Sequence, residues 1–127
     1  MPHLVLLGDS VFDNGAYTAG GPDVISQVRE TMPAGWSATL VAVDGSQARE
    51  VVKQLARVPD DATHLVLSVG GNDALMEVDL LDAPVKSSAD ALRLIAATVR
   101  LRVAILRRGR CLPRPRPAAC ALHDLPR

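Results

Sequence analysis

The stretch HLVLLGDS, residues 3–10, decides the fold. Its first five residues are almost wholly apolar and end at Gly8, a pattern typical of a short strand that is buried on both faces, as in a parallel sheet. Asp9 and Ser10 follow directly, so polar groups stand at the carboxyl end of this strand. We therefore expect an α/β protein whose first strand is formed by residues 3–7.

Two further strands and three helices are predicted downstream, in alternation. Residues 38–43 form a β-branched run closed by Asp44 and Gly45, and residues 63–69 end at Gly70. Pro22 is expected in the first turn of the first helix. The apolar positions that recur at helical spacing and are predicted to face the core are Val24, Ile25, Val28 and Met32; Ala48, Val51, Val52, Leu55 and Ala56; and Leu92, Ile95, Ala96, Val99 and Val103.

This alternation predicts a parallel sheet of about three strands with helices on both faces. The outer strands of such a sheet need covered or charged edges. The chain has 127 residues, 48% hydrophobic and 22% charged, which suits one compact domain. No apolar run approaches the roughly 18 residues of a membrane span, and the N-terminal run is too short for a signal peptide. We expect a cytoplasmic protein.

Charge divides the chain into two parts. Residues 1–90 contain 13 acidic and 5 basic side chains, a net charge of −8, whereas the remaining 37 residues have a net charge of +8. The Arg- and Pro-rich end also holds Cys111 and Cys120, which lack metal-ligand spacing and are assigned no role. We expect residues 1–97 to be the N-terminal part of one domain. Residues 98–127 are expected to be a helix end and a basic tail, which a shifted reading frame after about residue 97 would explain.

Nucleic-acid binding is not expected. The aromatic residues are Phe12, Tyr17 and Trp36, too few to build a stacking platform for single strands. The arginines of residues 100–116 could attract polyanions, although a misread GC-rich gene would also encode many arginines. The sequence leaves the oligomeric state open.

Three polar turns follow the three predicted strands, where ligands bind in open α/β sheets. They are GDS at residues 8–10, DGS at residues 44–46 and GGND at residues 70–73. Together they offer the Ser10 hydroxyl as a nucleophile. The N–H groups of Ser10 and Gly45 and the side chain of Asn72 are candidate donors to an oxyanion. Each residue also has a structural interpretation, since Ser10 and Asn72 could cap helices and Gly45 could simply make a turn.

The same residues resemble the SGNH, or GDSL-type, hydrolase family. The resemblance rests on GDS at residues 8–10, within LLGDSVFDNGAY, on Gly45 after the second strand and on GGND at residues 70–73. It covers roughly residues 3–95. It implies a flavodoxin-like sandwich and hydrolysis of a small-molecule ester without metal or cofactor. Ser10 would be the nucleophile, and Gly45 and Asn72 would hold the oxyanion.

The family's fourth block, Asp-x-x-His, has no counterpart in this sequence. Cys120 stands three positions before His123, and His3 and His64 begin strands at the opposite edge of the sheet. A serine without an adjacent base is a weak nucleophile. Two functions therefore follow from the sequence: an SGNH-type serine esterase, or a truncated and catalytically inactive α/β domain.

Overall fold

The three predicted strands form one parallel sheet. The computed structural model describes residues 1–109, with β1 at His3–Gly8, β2 at Ser37–Leu40 and β3 at His64–Ser68. The strand order is β2-β1-β3, so the most apolar strand lies in the centre. The predicted α/β fold with a three-stranded parallel sheet is confirmed.

Helices and short turns connect the strands. The helices of residues 1–109 are α1 (Val24–Thr31), α2 (Val51–Leu55), α3 (Gly71–Leu75) and α4 (Ser88–Gly109), and the 3₁₀ turns are Gly15–Tyr17, Ala48–Glu50 and Val78–Asp82. In this part of the chain no helix has the length and apolar character needed to cross a membrane. α4 runs across residue 97, and the domain boundary placed there stays a prediction. The predicted tail, with Cys111, Cys120 and His123, lies outside the described residues.

Successive side chains of β1 enter apolar clusters on opposite faces of the sheet. Val5 and Leu7 belong to a cluster against which Leu55 of α2 packs, whereas Leu6 packs with Ile25 of α1. Full burial of one such side chain contributes about 1.5–3 kcal/mol. The stripe predicted for α1 does pack on the sheet, through Val24, Ile25, Val28 and Met32. Helices therefore cover both faces, as expected.

Two side chains cap the start of α1. The Asp23 carboxylate accepts the Ser26 N–H at 2.9 Å, and Asn14 Oδ1 accepts the Val24 N–H at 2.9 Å. The helix begins after Asp23, so the expectation that Pro22 lies in its first turn is wrong. Hydrogen bonds from the Ser26 side chain and backbone lower the pKa of Asp23 below its ordinary value.

The segment that contains α2 begins with a 3₁₀ turn, and this changes which residues are buried. Ala48, Val51 and Gln54, spaced three apart, face the interior. Val52 and Ala56, predicted to face the core, are exposed. A 3₁₀ helix has three residues per turn, so the buried positions of this segment recur every three residues. The prediction relied on the α-helical spacing of about 3.6 residues and therefore selected different positions.

α4 exposes most of the apolar side chains that the structure describes in it. The positions predicted to face inward, Leu92, Ile95, Ala96, Val99 and Val103, are all exposed, and Leu92 is 67% exposed. This prediction is wrong for the described part of the chain. The main contacts of α4 are with α2 and the 48–50 turn, so only a narrow part of its surface is covered.

The two edges of the sheet differ. At β2, Arg29 donates from Nε and Nη2 to the Ala38 carbonyl at 3.1 and 2.9 Å, which occupies a backbone acceptor of the edge strand. At β3, Val66 and Leu67 are 41% and 38% exposed. Residues 62–72 contain no Asp, Glu, Lys or Arg. Within residues 1–109 the expected edge protection is therefore present at β2 and lacking at β3.

Gly8→Ala is expected to lower the free energy of unfolding by more than about 3 kcal/mol. A Cβ at Gly8 would lie 1.7 Å from the Ser68 carbonyl oxygen, and Gly8 has φ +125°. Gly20→Ala is the control, because Gly20 has φ +87° but nothing within 4 Å of its Cβ position, so it should lose only about 1–2 kcal/mol. Urea unfolding measures both, and equal losses would contradict the steric argument.

Asp23→Asn is expected to remove a pH dependence of stability. The pKa of Asp23 lies below its ordinary 3.8 in the folded protein. Its charged form therefore contributes stability that is complete above the ordinary value and is lost as the pH falls through the lowered pKa. Asn keeps a capping oxygen without the charge. The urea midpoints of wild type and variant should differ near neutral pH and converge in acid, and a constant difference would refute this account.

Candidate functional site

Backbone hydrogen bonds bring the three polar turns to one edge of the sheet. We call them the Ser10 turn (residues 9–13), the Gly45 turn (residues 43–46) and the Gly70 turn (residues 69–73). The Val43 N–H donates to the Gly8 carbonyl at 3.1 Å, and the Asp9 N–H donates to the Ser68 carbonyl at 3.0 Å. Because the strands are parallel, the turns that follow them meet at their carboxyl ends.

Asp9 organises the Ser10 turn from inside. It is 4% exposed, and its Oδ1 accepts the Val11 N–H at 3.1 Å. Its carbonyl accepts the N–H groups of Phe12 and Asp13 at 3.1 and 3.0 Å. No helix begins at Ser10, so its interpretation as a helix cap is wrong. The half-buried Ser10 hydroxyl has no hydrogen-bond partner within residues 1–109.

The Gly45 turn presents a backbone donor. Gly45 has φ +76°, and the turn is closed by the Ser46 N–H, which donates to the Val43 carbonyl at 3.1 Å. A Cβ at Gly45 would meet nothing within 4 Å, so glycine is favoured there by backbone conformation. Neither the N–H of Gly45 nor that of Ser10 donates to an acceptor in the described residues. Two backbone donors are therefore available at this edge.

Asn72 and Asp73 join the Gly70 turn to the segment after β2. Asn72 Nδ2 donates to the Ser46 carbonyl at 3.0 Å, and Asp73 Oδ2 accepts the Ala48 N–H at 2.8 Å. The N-cap residue of α3 is Gly70, so Asn72 does not cap this helix. The bond to Ser46 uses one Nδ2 proton of Asn72 and leaves the second for another acceptor.

Gln54 is the site feature that the sequence analysis missed. This residue of α2 is 3% exposed, and its side chain hydrogen-bonds Gly8 of β1 and Ser46 of the Gly45 turn. The available signal was a glutamine three residues after Val51, inside an otherwise apolar stripe. A buried amide needs several partners, so its position pointed to a polar contact with the sheet.

An acidic rim flanks the site. The Tyr17 hydroxyl donates to Asp44 Oδ2 at 2.6 Å, and Asp13 Oδ2 accepts the Asp44 N–H at 2.8 Å. The hydrogen bond to Asp44 and the negative charge of that carboxylate favour the protonated phenol, and they raise the pKa of Tyr17. The rim therefore contains two carboxylates, that of Asp13 in the Ser10 turn and that of Asp44 in the Gly45 turn.

The histidines of residues 1–109 lie at the amino end of the sheet. His3 Nε2 is 2.8 Å from Thr39 Oγ1, and its Nδ1 is 3.0 Å from Asp61 Oδ1. His64 lies against Trp36, with ring centroids 5.0 Å apart. β1 spans six residues from His3 to Gly8, a length of about 17 Å. His123 lies outside the described residues. In residues 1–109 no group of three His, Cys, Asp or Glu side chains could hold a metal ion.

An apolar cavity borders the Gly70 turn. Its volume is about 330 Å³, and it is lined by Gly71, Leu75 and Leu81 on one side and by Ile95 and Val99 of α4 on the other. A second cavity of about 140 Å³ lies between the Gly70 turn and α4. The edge of the sheet thus combines polar donors with apolar space.

Comparison with known proteins establishes the fold. No protein-family model and no curated protein sequence matches this chain. Among solved structures, an extracellular lipase from Streptomyces rimosus is similar, with a TM-score of 0.56 and 20% sequence identity. The match covers 86% of this chain and 53% of the lipase. The chain therefore has an α/β fold similar to that of a lipase and spans about half the length of that enzyme.

Asp44→Asn is expected to lower the pKa of Tyr17 towards its ordinary value of 10.0. The variant removes the charge that stabilises the neutral phenol and weakens the acceptor of its hydrogen bond. Tyr17 is the only tyrosine, so phenolate absorbance titrates it without interference. Asp61→Asn, at the opposite edge, is the control and should leave the titration unchanged. Identical curves for wild type and Asp44→Asn would contradict the rim geometry.

Proposed function

We propose that this chain is a serine ester hydrolase of the SGNH type, with Ser10 as the nucleophile. The proposed oxyanion donors are the N–H groups of Ser10 and Gly45 and the side chain of Asn72. The substrate is a small-molecule ester, and the mechanism uses no metal or cofactor.

One observation carries the proposal: a hydroxyl and two backbone donors that have no partner within residues 1–109 occur on turns that hydrogen bonds hold together at one edge. Ser46 is the contrasting serine at this edge, since it is buried and its Oγ accepts the Gln54 amide. Ser10 has no such partner in the described residues. A hydroxyl that makes no internal hydrogen bond is available to a substrate and to a base.

The proposed reaction has two steps. Ser10 Oγ attacks the acyl carbonyl, the alcohol leaves with a proton, and water then hydrolyses the acyl-enzyme. The negative charge on the carbonyl oxygen develops near preorganised donors, each of which typically contributes a factor of about 100 or more in rate. The proposal assigns the general base to neither His3 nor His64, because both lie at the other edge of the sheet.

The apolar cavity supports an ester with an apolar part. Its lining includes Gly71, the residue directly before Asn72 in the chain, while Ser10, Gly45 and Asn72 themselves do not line it. Burial of alkyl groups there would contribute about 0.8 kcal/mol for each methylene. The structural likeness to a lipase supports the same substrate class.

Ser10→Ala is expected to lower the rate of hydrolysis of a short-chain nitrophenyl ester by at least about 100-fold, because the nucleophile is lost. The unfolding midpoint should change little, because the Ser10 hydroxyl makes no internal hydrogen bond in residues 1–109. A fluorophosphonate should add one phosphonyl group to wild type, and peptide mapping should locate it on Ser10.

Ser37→Ala is the matched control, since Ser37 is an exposed serine at the amino end of β2. It should hydrolyse the ester and take up the phosphonate as wild type does. Turnover that survives Ser10→Ala would refute Ser10 as the nucleophile. If wild type neither turns over the ester nor reacts with the phosphonate, the proposal fails and a catalytically inactive α/β domain is favoured.

A further inference from the structure

Gln54 makes three hydrogen bonds from a buried position. Its Oε1 accepts the Gly8 N–H at 2.7 Å, and its Nε2 donates to the Gly8 carbonyl at 2.8 Å and to Ser46 Oγ at 3.1 Å. The side chain comes from α2, yet these partners lie at the end of β1 and in the Gly45 turn. None of its contacts is needed to form α2 itself.

The need for this side chain follows from the path of β2. The strand ends at Leu40, and the N–H groups of Val41 and Ala42 both donate to the Leu6 carbonyl at 2.9 Å. Two residues of the β2 side thus share one acceptor of β1, and the next bond to β1 runs from the Val43 N–H to the Gly8 carbonyl at 3.1 Å. The N–H of Gly8 consequently has no strand partner on this side, and the Gln54 amide takes the place of one.

Gly8 is held firmly on its other side as well. The Asp9 N–H donates to the Ser68 carbonyl at 3.0 Å, and a Cβ at Gly8 would lie 1.7 Å from that same oxygen. Gly8 therefore sits between β3 and the Gln54 amide. The contacts with β3 and with the Gln54 amide therefore fix the position of its peptide group, just before the chain turns towards Ser10.

We propose that Gln54 is a positioning residue that sets the separation of the Ser10 and Gly45 N–H groups. Its side chain joins Gly8, two residues before Ser10, to Ser46, one residue after Gly45. This inference rests on the proposed function, because it assigns Gln54 the task of aligning two oxyanion donors. Gln54 itself touches no substrate.

Misalignment of the donors affects the transition state more than ground-state binding. The charge that the two N–H groups stabilise develops only as the tetrahedral intermediate forms. Displacement of catalytic groups by about 1 Å can cost a factor of about 100 in rate. Loss of the Gln54 amide should consequently lower kcat and leave KM nearly unchanged.

The test replaces Gln54 by Met, which is similarly long and unbranched but cannot make these hydrogen bonds. In Gln54→Met we expect kcat for the nitrophenyl ester to fall about 10- to 100-fold, with KM within about threefold of wild type. Amide hydrogen exchange at Gly8 should accelerate, because the Gly8 N–H loses its acceptor. All measurements are made on the full chain, well below the unfolding midpoint of each variant.

Two further variants separate positioning from folding. Gln27→Met makes the same change at an exposed residue of α1 and should behave as wild type. Ser46→Ala removes only the third hydrogen bond of Gln54, so it keeps the Gly8 contacts if Gln54→Met fails to fold. We expect Ser46→Ala to reduce kcat by a smaller factor, with Gly8 exchange unchanged.

The outcomes distinguish the two proposals. If turnover depends on Ser10 but kcat stays within about threefold of wild type in both Gln54→Met and Ser46→Ala, the positioning role is overturned and the proposed function stands. If wild type shows no Ser10-dependent turnover, the proposed function fails and the catalytic meaning of Gln54 fails with it. Gly8 exchange that does not change in a folded Gln54→Met would independently overturn the contact on which the inference depends.

Discussion

The close approach of Gly8 to the Ser68 carbonyl is the constraint on which the rest of the structure depends. No side chain fits between β1 and β3 at this point, since a Cβ would lie 1.7 Å from the oxygen. The same glycine takes φ +125°, which lets the chain leave the central strand abruptly. Ser10 follows two residues later, so the candidate nucleophile stands immediately beyond the most deeply buried strand. Rigid support of this kind is what a reactive side chain needs for a defined position.

The sequence predicted the sheet and the location of the turns because those features depend on local signals. An apolar run that ends in Gly-Asp-Ser identifies both a buried strand and its end, and Gly70-Gly71 does the same for β3. The end of β2 was less accurate: residues 38–43 were predicted and Ser37–Leu40 is observed. Val41 and Ala42 are as buried as strand residues, but they share one acceptor on β1, and apolar character alone does not reveal this.

Gln54 was missed and α4 was misjudged for a different reason, since their environments are set by distant parts of the chain. Hydrophobic periodicity assigns a glutamine to the surface, but the missing ladder partner at Gly8 draws Gln54 inside. In α4, apolar side chains recur at helical spacing, which predicts a buried face. Residues 1–109 supply few side chains that cover this face. The identities of Ser10, Gly45 and Asn72 as candidate site residues came from motif order, and their chemical roles stay predictions.

Trp36 gives the sheet a reporter at the end remote from the candidate site. It is the single tryptophan of the chain, and it lies against His64 at the amino end of the strands. Its fluorescence therefore reports on the amino end of the sheet, which lies about 17 Å along β1 from the candidate site. A ligand that binds among the three turns leaves this emission unaltered unless β1 transmits the change, so any spectral response would reveal mechanical coupling between the two edges of the sheet.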